Sequence, residues 1–271
     1  MSNSSFSGKG GFAELFKANG EPGKIAQYSS SLFWILLLAG WWSLFRPYVM
    51  PSIEEIFAAF DPLINKRNLI GNWINTVLLS LKAVGISCII AILISYSAVI
   101  PFFRPIAFAI SKMRYMSMMG FMFMFMLVLR EPELVRTSLL VYGIVPFLVT
   151  SMSSILLSQE KRLFRYARTL NLGEGAVVWH VLVRSLASDI LDAIRQNLAI
   201  AFVMIVVVES KIREGGGLGM LLYDVETRRA DYSEVFAIQI LIFATAICFD
   251  FLLAYANRSL FTFAFLKKER K

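Results

Sequence analysis

The stretch WINTVLLSLKAVGISCIIAILISYSAVI, residues 73–100, carries one charge, Lys82, and is closed by Pro101. A helix needs ~20 mostly apolar residues to cross a bilayer, so this run is long enough to span. Lys82 is expected near the outer end, where its stem can snorkel toward the interface. Similar runs surround it. Residues 25–45 hold no charge, place Trp41 and Trp42 near one end as an interfacial belt would, and stop at Arg46-Pro47. Further spans are expected at about 105–129, 135–157, 189–208 and 235–256. The pattern predicts an all-α, polytopic transmembrane helical bundle of about six spans.

Composition agrees. Hydrophobic residues make up 57% of the 271 and charged residues 17%, against about 25% charged in an ordinary soluble domain. The formal net charge of +8 does not point to nucleic acid, because the basic residues flank apolar runs instead of sharing one soluble face. Cys88 and Cys248 lie inside apolar runs without metal-like spacing, and His180 is the sole histidine, which excludes a multi-histidine metal site. No nucleophile–base pair or paired intramembrane carboxylates are present, so no catalytic residue and no metal is expected. An ion-gradient-driven carrier would need ionisable groups at mid-depth, and the spans offer almost none.

Residues 1–24 read as a polar cytoplasmic tail, 25–261 as the transmembrane domain, and 262–271 as a basic cytoplasmic tail. Most Lys and Arg fall on pieces that share one side when both ends are inside, which sets the expected orientation. The first run lacks a cleavage site and is read as a retained helix. Residues 50–60, MPSIEEIFAAF, predict a short helix on the membrane surface. Ser52 and Glu55 have capping-box spacing, and Ile53, Ile56, Phe57 and Phe60 share a face.

The loop 158–188 carries the functional reading. Leu163, Ala167 and Leu170 share one helical face, while Arg162, Arg165 and Arg168 lie opposite. Gly173-Glu174-Gly175 is expected to break this helix, and a second apolar stretch runs from 176 to 183. The pattern predicts a cytoplasmic helix-turn-helix hairpin. It could rest on anionic lipid or fit a groove in a soluble partner.

Arg165-Tyr166-Ala167-Arg168-Thr169-Leu170-Asn171, followed by Gly173, resembles the cytoplasmic motif of ABC importer permeases of the nitrate, sulfonate and taurine type. Ala167, Thr169 and Leu170 fit that motif. Arg165, Tyr166, Asn171 and Arg184 stand where the family has Glu, Ala, Gly and Pro. Other segments are similar in order and spacing: 50–56, Ile190 to Arg195, Val206 to Glu209 with Gly217-Leu218-Gly219, and Asp231 to Phe236 with Asp250. The resemblance implies a type I importer permease fold in a bacterial inner membrane. It implies ABC ATPase subunits docked on the hairpin, a second permease subunit and an extracytoplasmic substrate-binding protein. ATP would be bound by the partner, leaving this chain no cofactor, and the solute would be small and anionic. The departures in the hairpin also fit a transport-inactive scaffold that keeps the permease fold.

Asp192 and Arg195, at the entry to the fifth span, are expected to anchor at the interface or to bridge the hairpin to the bundle. Glu209 is expected at an interface, with gating as the alternative. Gly217 and Gly219 belong to a glycine cluster, 215–219, read as a flexible turn near the binding protein. The Met- and Phe-rich segment 115–129 is read as a lipid-facing or helix-packing surface, with a pathway lining as the alternative.

Overall fold

The small residues of the second span decide how the bundle packs. In the computed structural model, which describes residues 23–44, 51–159, 161–169 and 173–261, this span is α4, Leu69–Ser97. Its buried face reads Thr76, Ser80, Ala83, Ser87, Ala91 and Ser95, spaced by three or four residues on one stripe. Short side chains let a neighbouring helix approach closely, the main route to tight packing where lipid removes the hydrophobic drive between helices. Two of the hydroxyls are satisfied within the helix. Ser80 donates to the Thr76 carbonyl at 2.6 Å and Ser87 to that of Ala83 at 2.7 Å. The larger Leu78, Leu81, Ile89 and Leu93 point away and are exposed.

The partner across this stripe is α7, Pro132–Leu157, which buries Leu139, Leu140, Ile144, Leu148, Val149 and Met152. Against both lies α10, Arg184–Lys211. Together they form the main core, from Val135 at one end to Leu182 and Leu186 at the other. Leu140→Ala removes a side chain with no exposed surface and is expected to cost about 2–5 kcal/mol. Thermal unfolding in detergent would read this loss. Leu93→Ala, on the exposed side of α4, is expected to stay within about 0.5 kcal/mol.

The remaining elements are α1 (Lys24–Leu44), α2 (Ile53–Ala58), α3 (Phe60–Arg67), α5 (Arg104–Lys112), α6 (Met118–Leu129), α8 (Lys161–Thr169), α9 (Glu174–Val178), α11 (Leu218–Arg228) and α12 (Tyr232–Leu260). No strand occurs among the described residues. The chain divides into two compact units, Met1–Pro51 and Ser52–Lys271. A second core in the latter joins α2, α3, α11 and α12 through Ile56, Leu63, Leu218, Val225 and Ile238. An ion pair of 2.6 Å between Arg67 and Glu234 closes α3 on α12.

Among the described residues, four helical stretches are long and apolar enough to cross a membrane: Leu69–Ser97, Pro132–Leu157, Gly175–Lys211 and Tyr232–Leu260. A bent pair makes a fifth if it counts as one span. This is the segment expected to run straight from 105 to 129. It is instead two helices, meeting at 106° between Tyr115 and Met118. Met116 and Ser117 adopt extended backbone there. The polar cluster of Lys112, Arg114 and Tyr115, joined by cation–π contacts, marks the break. The helix expected first is present as α1, but Gln27, Tyr28 and Ser29 to Ser31 occupy its opening turns and shorten its apolar part.

The surface helix forms as its capping box requires. The Glu55 N–H donates to Ser52 Oγ at 3.2 Å, and the Ser52 N–H donates to Glu55 Oε2 at 2.8 Å. The apolar face expected there divides: Ile56 is buried while Ile53 and Phe57 are exposed. The Met- and Phe-rich helix α6 buries no residue fully. It leans one edge on α7, with Phe121 stacked 4.7 Å from the Tyr142 ring, and Met118 reaches Gly143.

Candidate functional site

Glu209 lies in the last turn of α10 and has no exposed surface. A buried carboxylate is tolerated only when cations and donors replace its water. Arg136, in the second turn of α7, supplies the charge, with Nη2 at 3.2 Å from Oε1. The Thr76 hydroxyl from α4 donates at 2.9 Å to Oε1, and the Gly219 N–H at the start of α11 donates to Oε2 at 2.9 Å. The network is extended on both sides. Arg136 Nη1 donates to the Glu214 carbonyl and Nη2 to that of Gly216, each at 2.9 Å. Thr76 Oγ accepts from the Leu218 N–H at 2.8 Å, and Asn72 Oδ1 accepts from the Gly217 N–H at 2.9 Å.

The glycine cluster is the wrapping of this pair. Gly215, Gly216 and Gly217 have φ of 95°, 70° and 125°, a region that side chains avoid. A Cβ on Gly217 would fall on the Glu209 carboxylate, one on Gly215 on Arg136 Nη1, and one on Gly219 on the Val206 carbonyl. The segment is therefore a packed lid over a buried ion pair and not a free turn. Glu209, expected at an interface, is fully buried within the protein. Arg136, Thr76 and Asn72 were absent from the sequence-derived site. Their signal was a lone arginine just inside an apolar run, matched by a lone glutamate at the end of another.

Asp192 and Arg195 reach from α10 to α12, where their partners lie, and not to the hairpin. Asn257 Nδ2 donates to Asp192 Oδ1 at 2.9 Å, and Arg195 Nε lies 3.3 Å from Asp250 Oδ1. Ser188 donates to Asn257 Oδ1 at 3.0 Å in the same seam.

The hairpin is present in its described parts. On α8, Arg165 and Tyr166 are exposed and Ala167 is buried. The inward face pairs Ala167 with half-buried Phe164, whereas Leu163, expected inward, is exposed. Leu170, Asn171 and the Arg168 side chain lie outside the described residues. Gly173 caps α9 with φ −60° and ψ 152°, a conformation open to any residue. The break precedes α9, so Glu174 and Gly175 begin a helix instead of interrupting one. From Gly175 the helix passes through a π-turn at Trp179–Val183 into α10 and runs unbroken to Lys211. Leu182 roots it in the main core and Val177 is buried, while Trp179 stays exposed. This single rod, about 55 Å long at 1.5 Å per residue, joins the basic hairpin to Glu209.

Neither a family model nor a curated protein matches the chain. A solved structure does: the crystal structure of a bacterial ABC transporter involved in the import of the acidic polysaccharide alginate. The alignment has a TM-score of 0.60 and covers 87% of this chain and 98% of that one, at 14% identity. The chain shares the fold of that chain. At this identity the likeness is one of fold, and it agrees with an all-α polytopic bundle. Among the described residues no group of His, Cys, Asp or Glu could hold a metal ion.

Proposed function

We propose that this chain is the membrane-spanning permease subunit of an ATP-driven importer for a small anionic solute, in a bacterial inner membrane with both termini cytoplasmic. It would work with ABC ATPase subunits, a second permease subunit and an extracytoplasmic binding protein. The single observation that carries the reading is the continuous helix Gly175–Lys211. One end is the hairpin, exposing Arg165, Tyr166 and Trp179. The other end is fixed to three further helices through Glu209. A push on the hairpin would tilt this rod as a unit. A bundle with two arrangements could then be biased from the ATPase side. The fold likeness to a chain of an ABC importer supports the same assignment.

The reading makes the hairpin an ATPase-docking surface that uses Arg165, Tyr166, Ala167, Arg168, Leu170, Asn171 and Gly173. Arg165→Glu combined with Tyr166→Asp is expected to lower ATP-dependent uptake and ATPase co-purification by about tenfold or more, the size of a hot-spot loss. Yield and thermal stability of the chain should be preserved, because both side chains are exposed. Unchanged uptake together with unchanged ATPase binding would remove the docking role.

A further inference from the structure

The groove between α10 and α12 contains an ion pair in an unusual place. The groove encloses about 520 Å³ and is walled mainly by Phe202, Val203, Ile242 and Phe243, with Arg195 and Asp250 at one end. Arg195 lies about 16 Å beyond the start of α10, and Asp250 about 15 Å before the end of α12, at 1.5 Å per residue. Asp250 stands between Phe249 and Phe251 in an apolar run. Their side chains are nonetheless 36% and 51% exposed. Both lie on helical stretches long and apolar enough to cross a membrane, and hydrocarbon does not accept half-exposed charges. Ionisable groups inside spans face protein or water and mark solute pathways.

The geometry of the pair adds a second point. Arg195 Nε lies 3.3 Å from Asp250 Oδ1. Among the described residues Nη1 and Nη2 make no hydrogen bond, and Arg195 lines the groove, so its terminal donors are open to an incoming group. The guanidinium fork matches the two oxygens of a carboxylate, phosphate or sulfonate. The neighbouring acid, Asp192, is turned to Asn257. Because Asp250 balances the charge, an anion would be held by geometry more than by net field, which suits a contact made in passing.

We propose that the α10–α12 groove lines an aqueous passage, with the Arg195 fork as the contact for the anionic group of the solute. Asp250 is its positioning residue. The inference rests on the permease reading and deepens it.

Thiol labelling in native membranes tests it without knowing the solute. Cys88→Ser and Cys248→Ser remove the native thiols, and Ala199→Cys places one in the groove wall. The probes are methanethiosulfonates carrying either a sulfonate or a trimethylammonium group. The sulfonate reagent is expected to react faster. Arg195→Gln should reverse the preference by about fivefold or more, and Asp250→Asn should strengthen it by a similar factor. Chain abundance in each variant controls for folding. No labelling in any variant would mean that a partner helix or lipid seals the groove. Equal rates for both reagents in all variants would mean that Arg195 does not meet the probe. Either result overturns the proposal. The permease reading stands or falls separately, on ATP-dependent uptake by the same membranes.

Discussion

Glu209→Gln is expected to destabilise the chain by about 3–5 kcal/mol, and Arg136→Met by a similar amount. Each substitution leaves the opposite charge buried without its counter-ion. Glu209 has no exposed surface and the Arg136 side chain is 5% exposed, so water cannot replace the lost partner. Arg136 also holds the Glu214 and Gly216 carbonyls, so its loss frees the lid as well. The double substitution Arg136→Met with Glu209→Gln removes both charges. It should be less damaging than the sum of the two singles by about 2 kcal/mol, within the range of coupled neighbours. Thermal unfolding of the purified complex, with limited proteolysis at the 212–217 segment, would measure all three. Additive losses would mean that the two residues act separately and would contradict the paired geometry.

Gly217→Ala is expected to lose about 3 kcal/mol or more, from two sources that add. The backbone there has φ 125°, which an L side chain adopts only under strain. The new methyl would also occupy the place of the Glu209 carboxylate, forcing the ion pair apart. Gly85→Ala provides the contrast. Nothing lies within 4 Å of its Cβ in the middle of α4, and alanine is the better helix former by about 1 kcal/mol. That variant should be neutral or more stable. Equal responses at the two positions would mean that the lid does not grip Glu209.

The helices were legible in the sequence because membrane spans are long and apolar, and length alone reveals them. The run at 73–100 needed only a count of charges. The bend between α5 and α6 was not legible, because Met116 and Ser117 carry no proline or glycine to announce it. The small-residue stripe of α4 was present in the sequence, but its importance depends on α7 lying against it. Glu209 was visible as a residue. Its role was hidden because its partners, Thr76, Arg136 and Gly219, come from distant points and meet only in the folded bundle. The glycines at 215–219 illustrate the same limit. A glycine cluster looks like a flexible turn until the side chain that it wraps is known. In the hairpin, the register of Phe164 and Ala167 depended on how α8 meets α9, which periodicity could not fix.

One rod, from hairpin to buried ion pair, is the feature on which the transport reading depends. The most direct test is reconstitution of the complex, purified in mild detergent, into vesicles with ATP supplied on the hairpin side and the binding protein on the other. The account predicts that an ATPase co-purifies and that an anionic solute accumulates only with ATP. Accumulation should be lost in the Arg165→Glu, Tyr166→Asp chain, which loses the ATPase while the chain itself remains soluble and folded. An assembled complex that hydrolyses ATP yet moves no solute would contradict it and would make the chain a scaffold that has kept an importer's fold.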